Sequence, residues 1–176
     1  MIFLTGLLLL CSACQKERNT NESITPLPDA WAGPQKYGWV KAKRNNQDWE
    51  GSGIWAYTYG DSTQIGLLFG TVDLDTVAIE GLDFVRIPLK VGKYKLLNSN
   101  HSPRSIYWIG YYDETDAFYT IDEARNNHLW IDSYDPVKKE IKGRFQVHFF
   151  RTESHVFNYP EEVSFENGEF EVSLLK

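Results

Sequence analysis

Residues 140 to 151 alternate between apolar and polar side chains almost without a break. Ile141, Phe145, Val147 and Phe149 fall on one side, and Lys142, Arg144, Gln146 and His148 on the other. A repeat of two is the side-chain period of an extended chain and does not map onto a helix, whose faces repeat every 3.6 residues or so. The pattern predicts a strand in a sheet with one dry and one wet face. Shorter versions recur at Trp39–Lys43, Trp49–Tyr59, Gln64–Val72, Leu82–Leu89, Lys93–Leu97, Ser105–Asp113, Phe118–Ile121 and His128–Tyr134. Turn formers separate them: Asn45 to Asp48, Gly60-Asp61-Ser62, Asp113 to Asp116 and Asp135-Pro136. Asn167-Gly168 suits left-handed turn positions, so Val163–Glu166 and Glu169–Leu174 read as a hairpin. No stretch carries a helical stripe. About ten short strands predict an all-β fold, a single antiparallel β-sandwich. A closed or partly open up-and-down β-barrel is the alternative, because alternation does not reveal whether the outermost strands meet.

The N-terminus follows a different logic. Met1 to Ala13 holds no charge and ten apolar residues, too short a run to span a bilayer and suited to a secretory signal. Only Met1 precedes it, so a basic leader region would place the true start codon upstream. Leu10-Cys11-Ser12-Ala13-Cys14 resembles a bacterial lipobox, with Cys11 in place of the usual aliphatic residue. That resemblance implies acylation of Cys14 and removal of Cys11, which leaves no pair for a disulfide. Gln15 to Pro34 is polar and broken by Pro26, Pro28 and Pro34, the composition of a tether. As a coil of this length it would span roughly 25 Å. The expected organisation is therefore a signal peptide at 1–13, a lipidated Cys and tether at 14–34, and one β-domain at 35–176. A total of 176 residues supports one domain with a sizeable core, and two full domains would be cramped.

Internal motifs add to this. Ile131 to Phe145 joins a strand, an Asp turn and the run Ile141-Lys142-Gly143-Arg144-Phe145. With Val163 to Phe170, Gly92-Lys93-Tyr94 and Asp48-Trp49, it resembles a group of small Bacteroidota lipoproteins whose β-domain has no assigned function. The charged run Gln15-Lys16-Glu17-Arg18 is similar to surface-export signals of the same phylum. The resemblance implies anchoring to the outer membrane, on its periplasmic or its outward face. Its motifs are structural and carry over no catalytic residue.

The net charge of −6 without a basic stripe argues against nucleic acid as a partner. No nucleophile elbow, phosphate loop or zinc-protease motif occurs, and the four histidines match no zinc spacing. The expectation is a protein without enzymatic activity, cofactor or metal. Asp73, Asp75, Glu80 and Asp83 fall between two predicted strands and read as solvated loop charge rather than a calcium loop. Asp61-Ser62-Thr63 and Asp75-Thr76-Val77 resemble short O-glycosylation sites. Two aromatic sets stand out. Trp55, Tyr57 and Tyr59 alternate on one strand; Trp130 and Tyr134 do so on another, with Asp132 between them. Such rings either pack a core or stack a ligand. The candidate ligand residues are Trp55, Tyr57, Trp130 and Tyr134. The expected role is a lipid-anchored envelope protein with a binding or structural domain, its partners the bilayer and a glycan or another envelope protein. A glycan-binding accessory lipoprotein is the alternative.

Overall fold

The computed structural model describes residues 37–59, 63–73, 78–111, 114–154 and 159–175. Cys14, the tether and the signal segment lie outside these residues, as do Asp61, Ser62, Asp75, Thr76, Val77 and His155. The described residues form ten strands: β1 (Gly38–Arg44), β2 (Gln47–Thr58), β3 (Gln64–Asp73), β4 (Ala78–Pro88), β5 (Gly92–Lys95), β6 (Arg104–Tyr111), β7 (Glu114–Ile121), β8 (His128–Asp135), β9 (Glu140–Ser154) and β10 (Glu162–Ser173). There is no helix among the described residues.

The strands join one antiparallel sheet in the order β10-β1-β2-β3-β4-β6-β7-β9-β8-β5, and β10 also pairs with β9. That extra pairing bends the sheet back onto itself. The closure is irregular, because one edge of β9 is shared: its first half bonds β8 and its last third bonds β7. β8 and the short β5 thus form a flap beside the ring.

The interior packs as two facing walls, as in a sandwich. Phe69 of β3 meets Phe145 of β9 and Phe170 of β10, with ring centroids 6.5 Å and 5.3 Å away. Phe84 meets Phe145 at 5.1 Å, and Tyr107 meets Phe165 at 5.2 Å. Burying each of these phenylalanines contributes roughly 1.5–3 kcal/mol before entropy is counted. The alternation expected for β9 holds: Ile141, Phe145, Val147 and Phe149 are buried, and Lys142 and Arg144 are exposed.

The two ends of the barrel differ. At one end Glu80 points inward and accepts from Arg44, from Trp49 Nε1 at 3.0 Å and from Thr71 Oγ1 at 3.4 Å. This network closes the core with paired charge. At the other end the described residues begin, where the Tyr37 carbonyl accepts from Ser173 N at 2.8 Å.

Several local expectations change. Asn167-Gly168 does not reverse the chain: β10 runs straight through it, with a register shift between Phe165 and Gly168. Asn167 adopts φ 52°, so the left-handed residue builds a bulge instead of a turn. Asn45-Asn46, with φ 48° and 66°, is a two-residue turn, and Gln47 and Asp48 already belong to β2. Glu114 to Asp116 are strand rather than turn. The supposed acidic loop is mostly strand as well. Glu80 and Asp83 both lie in β4, one facing in and the other out.

Candidate binding face on the outer wall

The outer surface of the barrel has two contrasting sides. One is set by the cross-strand row Glu50–Lys41–Glu169–Arg144–Trp130–Lys93, each residue directly opposite the next. Charges of opposite sign alternate along it, and Lys41–Glu50 and Arg144–Asp132 form ion pairs. This side is a solvated face.

The other side carries the row Trp55–Leu68–Asp83–Ile106–Thr120–Phe150, from β2 through β3, β4, β6 and β7 to β9. With strands about 4.8 Å apart, six strands span about 24 Å. A parallel row runs Gly70–Gly81–Trp108–Phe118. Among the described residues, four aromatic side chains stand exposed on this wall: Trp55 (51%), Tyr57 (40%), Phe118 and Phe150. Leu68 is buried although it faces outward, beneath this outer layer.

Two glycines shape the wall. A Cβ on Gly81 would lie 2.1 Å from Trp108 Cε2, and one on Gly66 would lie 2.4 Å from Tyr57 Cζ. Both rings therefore rest on bare backbone, and any side chain there would lift them. Tyr57 also meets Tyr59, hydroxyl to hydroxyl at 3.2 Å, and the Arg86 guanidinium lies 5.7 Å from the centre of the Tyr59 ring. Burial, reinforced by the Tyr59 hydroxyl, pushes the Tyr57 phenol up to about 12, so it stays protonated.

Asp83 sits in the middle of these rings. Burial pushes its carboxyl up to about 6, against the opposing pull of a hydrogen bond from the Trp108 side chain and the positive charge of Arg104. Its backbone is pinned by Ser105 Oγ, which donates to the Asp83 carbonyl at 2.7 Å. Arg104 Nε is buried and has no hydrogen-bond partner among the described residues. A desolvated carboxylate, a guanidinium and flat rings on a rigid sheet together suit a ligand with one apolar face and hydroxyl groups at its edge.

The predicted aromatic residues divide between places. Trp55 and Tyr57 lie together on the apolar wall. Trp130 is on the charged side, with Lys93 Nζ and the Arg144 guanidinium 5.1 Å and 5.7 Å from its ring centre, from the strands on either side. Tyr134 does not share its face. A register shift between Ile131 and Ser133 inserts Asp132 as an extra residue and inverts the alternation. Tyr134 then lies opposite the buried Ile141 and packs against the core. Asp83, Arg104 and Trp108 are the wall residues that periodicity alone did not single out. The one trace of them is Asp83 between Leu82 and Phe84, a carboxylate aimed away from the core. Among the described residues no cluster of three or more His, Cys, Asp or Glu is placed to hold a metal ion.

Compared with protein-family models, curated proteins and solved structures, the chain shows no significant match to any.

Proposed function

We propose that the protein is a lipid-anchored binding domain of the cell envelope, without catalytic activity, whose outer aromatic wall holds a carbohydrate. The row Trp55–Leu68–Asp83–Ile106 carries this reading. Exposed rings stack against the C–H face of a pyranose, and a half-buried carboxylate accepts its hydroxyls. A desolvated acid at the centre of an apolar surface costs stability, and such groups concentrate at functional sites. The lipid anchor rests on Leu10-Cys11-Ser12-Ala13-Cys14 and on the likeness to Bacteroidota lipoproteins.

Titration of purified oligosaccharides, followed through the indole N–H signals, tests the binding reading. Saccharide should shift Trp55 and Trp108, and Trp55→Ala or Asp83→Asn should weaken binding at least tenfold. Trp130→Ala should leave it unchanged. Equal affinity in the Trp55→Ala protein would refute the site. The anchor is tested separately by acyl-chain labelling in cells, which Cys14→Ala should abolish.

A further inference from the structure

The end of the barrel where the described residues begin carries a second surface. Tyr37 bonds to Ser173, Ser173 pairs with Glu140, and Lys139 O accepts from Leu174 N at 2.9 Å. The turn between β8 and β9 therefore stands beside the first described residue. Val137 at its tip is 91% exposed, and Val91, before β5 in the adjoining flap, is 58% exposed. Around them stand Lys90, Lys138 and Lys139, all exposed. Lys90 and Lys139 form no ion pair with a described residue. The turn is held firmly: Asp135 Oδ1 accepts from the N–H groups of Val137 at 2.8 Å and Lys138 at 3.0 Å, and Lys139 takes φ 57°. Asp135 is the acid of this tip, already engaged by those N–H groups; Asp132 and Glu140 are paired with Arg144 and Lys142.

We infer that this end docks on a bilayer surface containing anionic lipid, with Val137 and Val91 entering the headgroup layer and the three lysines meeting lipid phosphates. The inference rests on the reading of Cys14 as the lipid attachment point. Cys14 precedes Tyr37 by 23 residues (37 − 14), a chain that reaches no farther than about 80 Å. The first described residue, Tyr37, stands at the docking end, so an anchor at Cys14 would hold that end near the lipid at an effective concentration on the order of millimolar. Under that condition a weak attraction, small for each lysine, is enough to orient the domain. The Trp55–Phe150 row lies along the side of the barrel, so docking by the end leaves it open to ligand.

The chain from Cys14 onward, coupled through its single thiol to a maleimide lipid in nanodiscs that also carry a gadolinium lipid, provides the test. This coupling works whether or not cells acylate Cys14, so failure here is distinct from failure of the anchor reading. Val163 serves as reference, because it pairs with Phe149, nine residues and about 30 Å along β9 from Glu140. In discs containing phosphatidylglycerol, the Val137 and Val91 methyl signals should broaden at least threefold more than those of Val163. The ratio should fall in discs of phosphatidylcholine alone, and also for the Lys90→Glu, Lys138→Glu, Lys139→Glu variant. An equal ratio in all three samples would show that the tether alone sets the distance, and would overturn the inference.

Discussion

Replacing Asp83 with Asn should stabilise the domain at neutral pH and do little at acid pH. The carboxyl ordinarily titrates at 3.8, and burial in the wall raises it to about 6. Each tenfold change in proton affinity is worth about 1.36 kcal/mol, so the gap amounts to about 3 kcal/mol. The sign follows from proton counting. Between pH 3.8 and 6 the folded protein holds a proton that the unfolded chain has released, so stability falls as pH rises through this window. Below it both states are protonated and the penalty is absent; above it the full penalty applies. Asn imitates the neutral acid and keeps an oxygen for the Trp108 indole. Urea unfolding followed by tryptophan fluorescence, on both proteins at pH 4 and pH 7.5, isolates the effect, since other titrating groups cancel in the difference. The variant should gain about 3 kcal/mol at pH 7.5 and only about 0.5 kcal/mol at pH 4. An equal gain at both values, or a loss at pH 7.5, would mean that the carboxylate is hydrated and that the wall has no desolvated acid. The same substitution should weaken saccharide binding, which would show stability given up for function.

Gly81→Ala should displace the Trp108 indole, because the added carbon would stand 2.1 Å from its ring. A loss of about 1–3 kcal/mol in urea unfolding and a changed near-UV tryptophan band are expected; an unchanged band would show that the ring does not rest on the glycine. Asn167→Val should cost about 1–3 kcal/mol, since a β-branched residue resists φ 52°, whereas Asn167→Gly should be close to neutral. If valine is tolerated as well as glycine, the bulge is not held at that angle.

Much of the fold was legible because strand patterning is local. The alternation of Ile141 to Phe149 names its own inner face, and no distant partner is needed to read it. The outward direction of Trp55 and Tyr57 was already present as a choice between two faces. Burial of Ala56 in the core between them decided it. Where a single inserted residue changes the register, local reading fails. Asp132 turns Tyr134 inward, and Asn167 converts an expected hairpin into a bulge; both signals depend on what the partner strand does. A left-handed Asn serves a turn or a bulge equally well on its own, and only β9 continuing alongside excludes the turn.

The sequence by itself determined an all-β antiparallel chain and the strands that carry its core, because a two-residue period is imposed by the geometry of each strand alone. Only the tertiary structure decided that the sheet bends back on itself through β9 and β10, since that pairing depends on strands meeting rather than on their patterns. It also decided which outward residues become neighbours. Leu68, Asp83 and Ile106 are far apart in the chain and stand side by side only through the register of β3, β4 and β6. That register places a carboxylate among rings and half-buries it, which turns an ordinary surface aspartate into the centre of the candidate site.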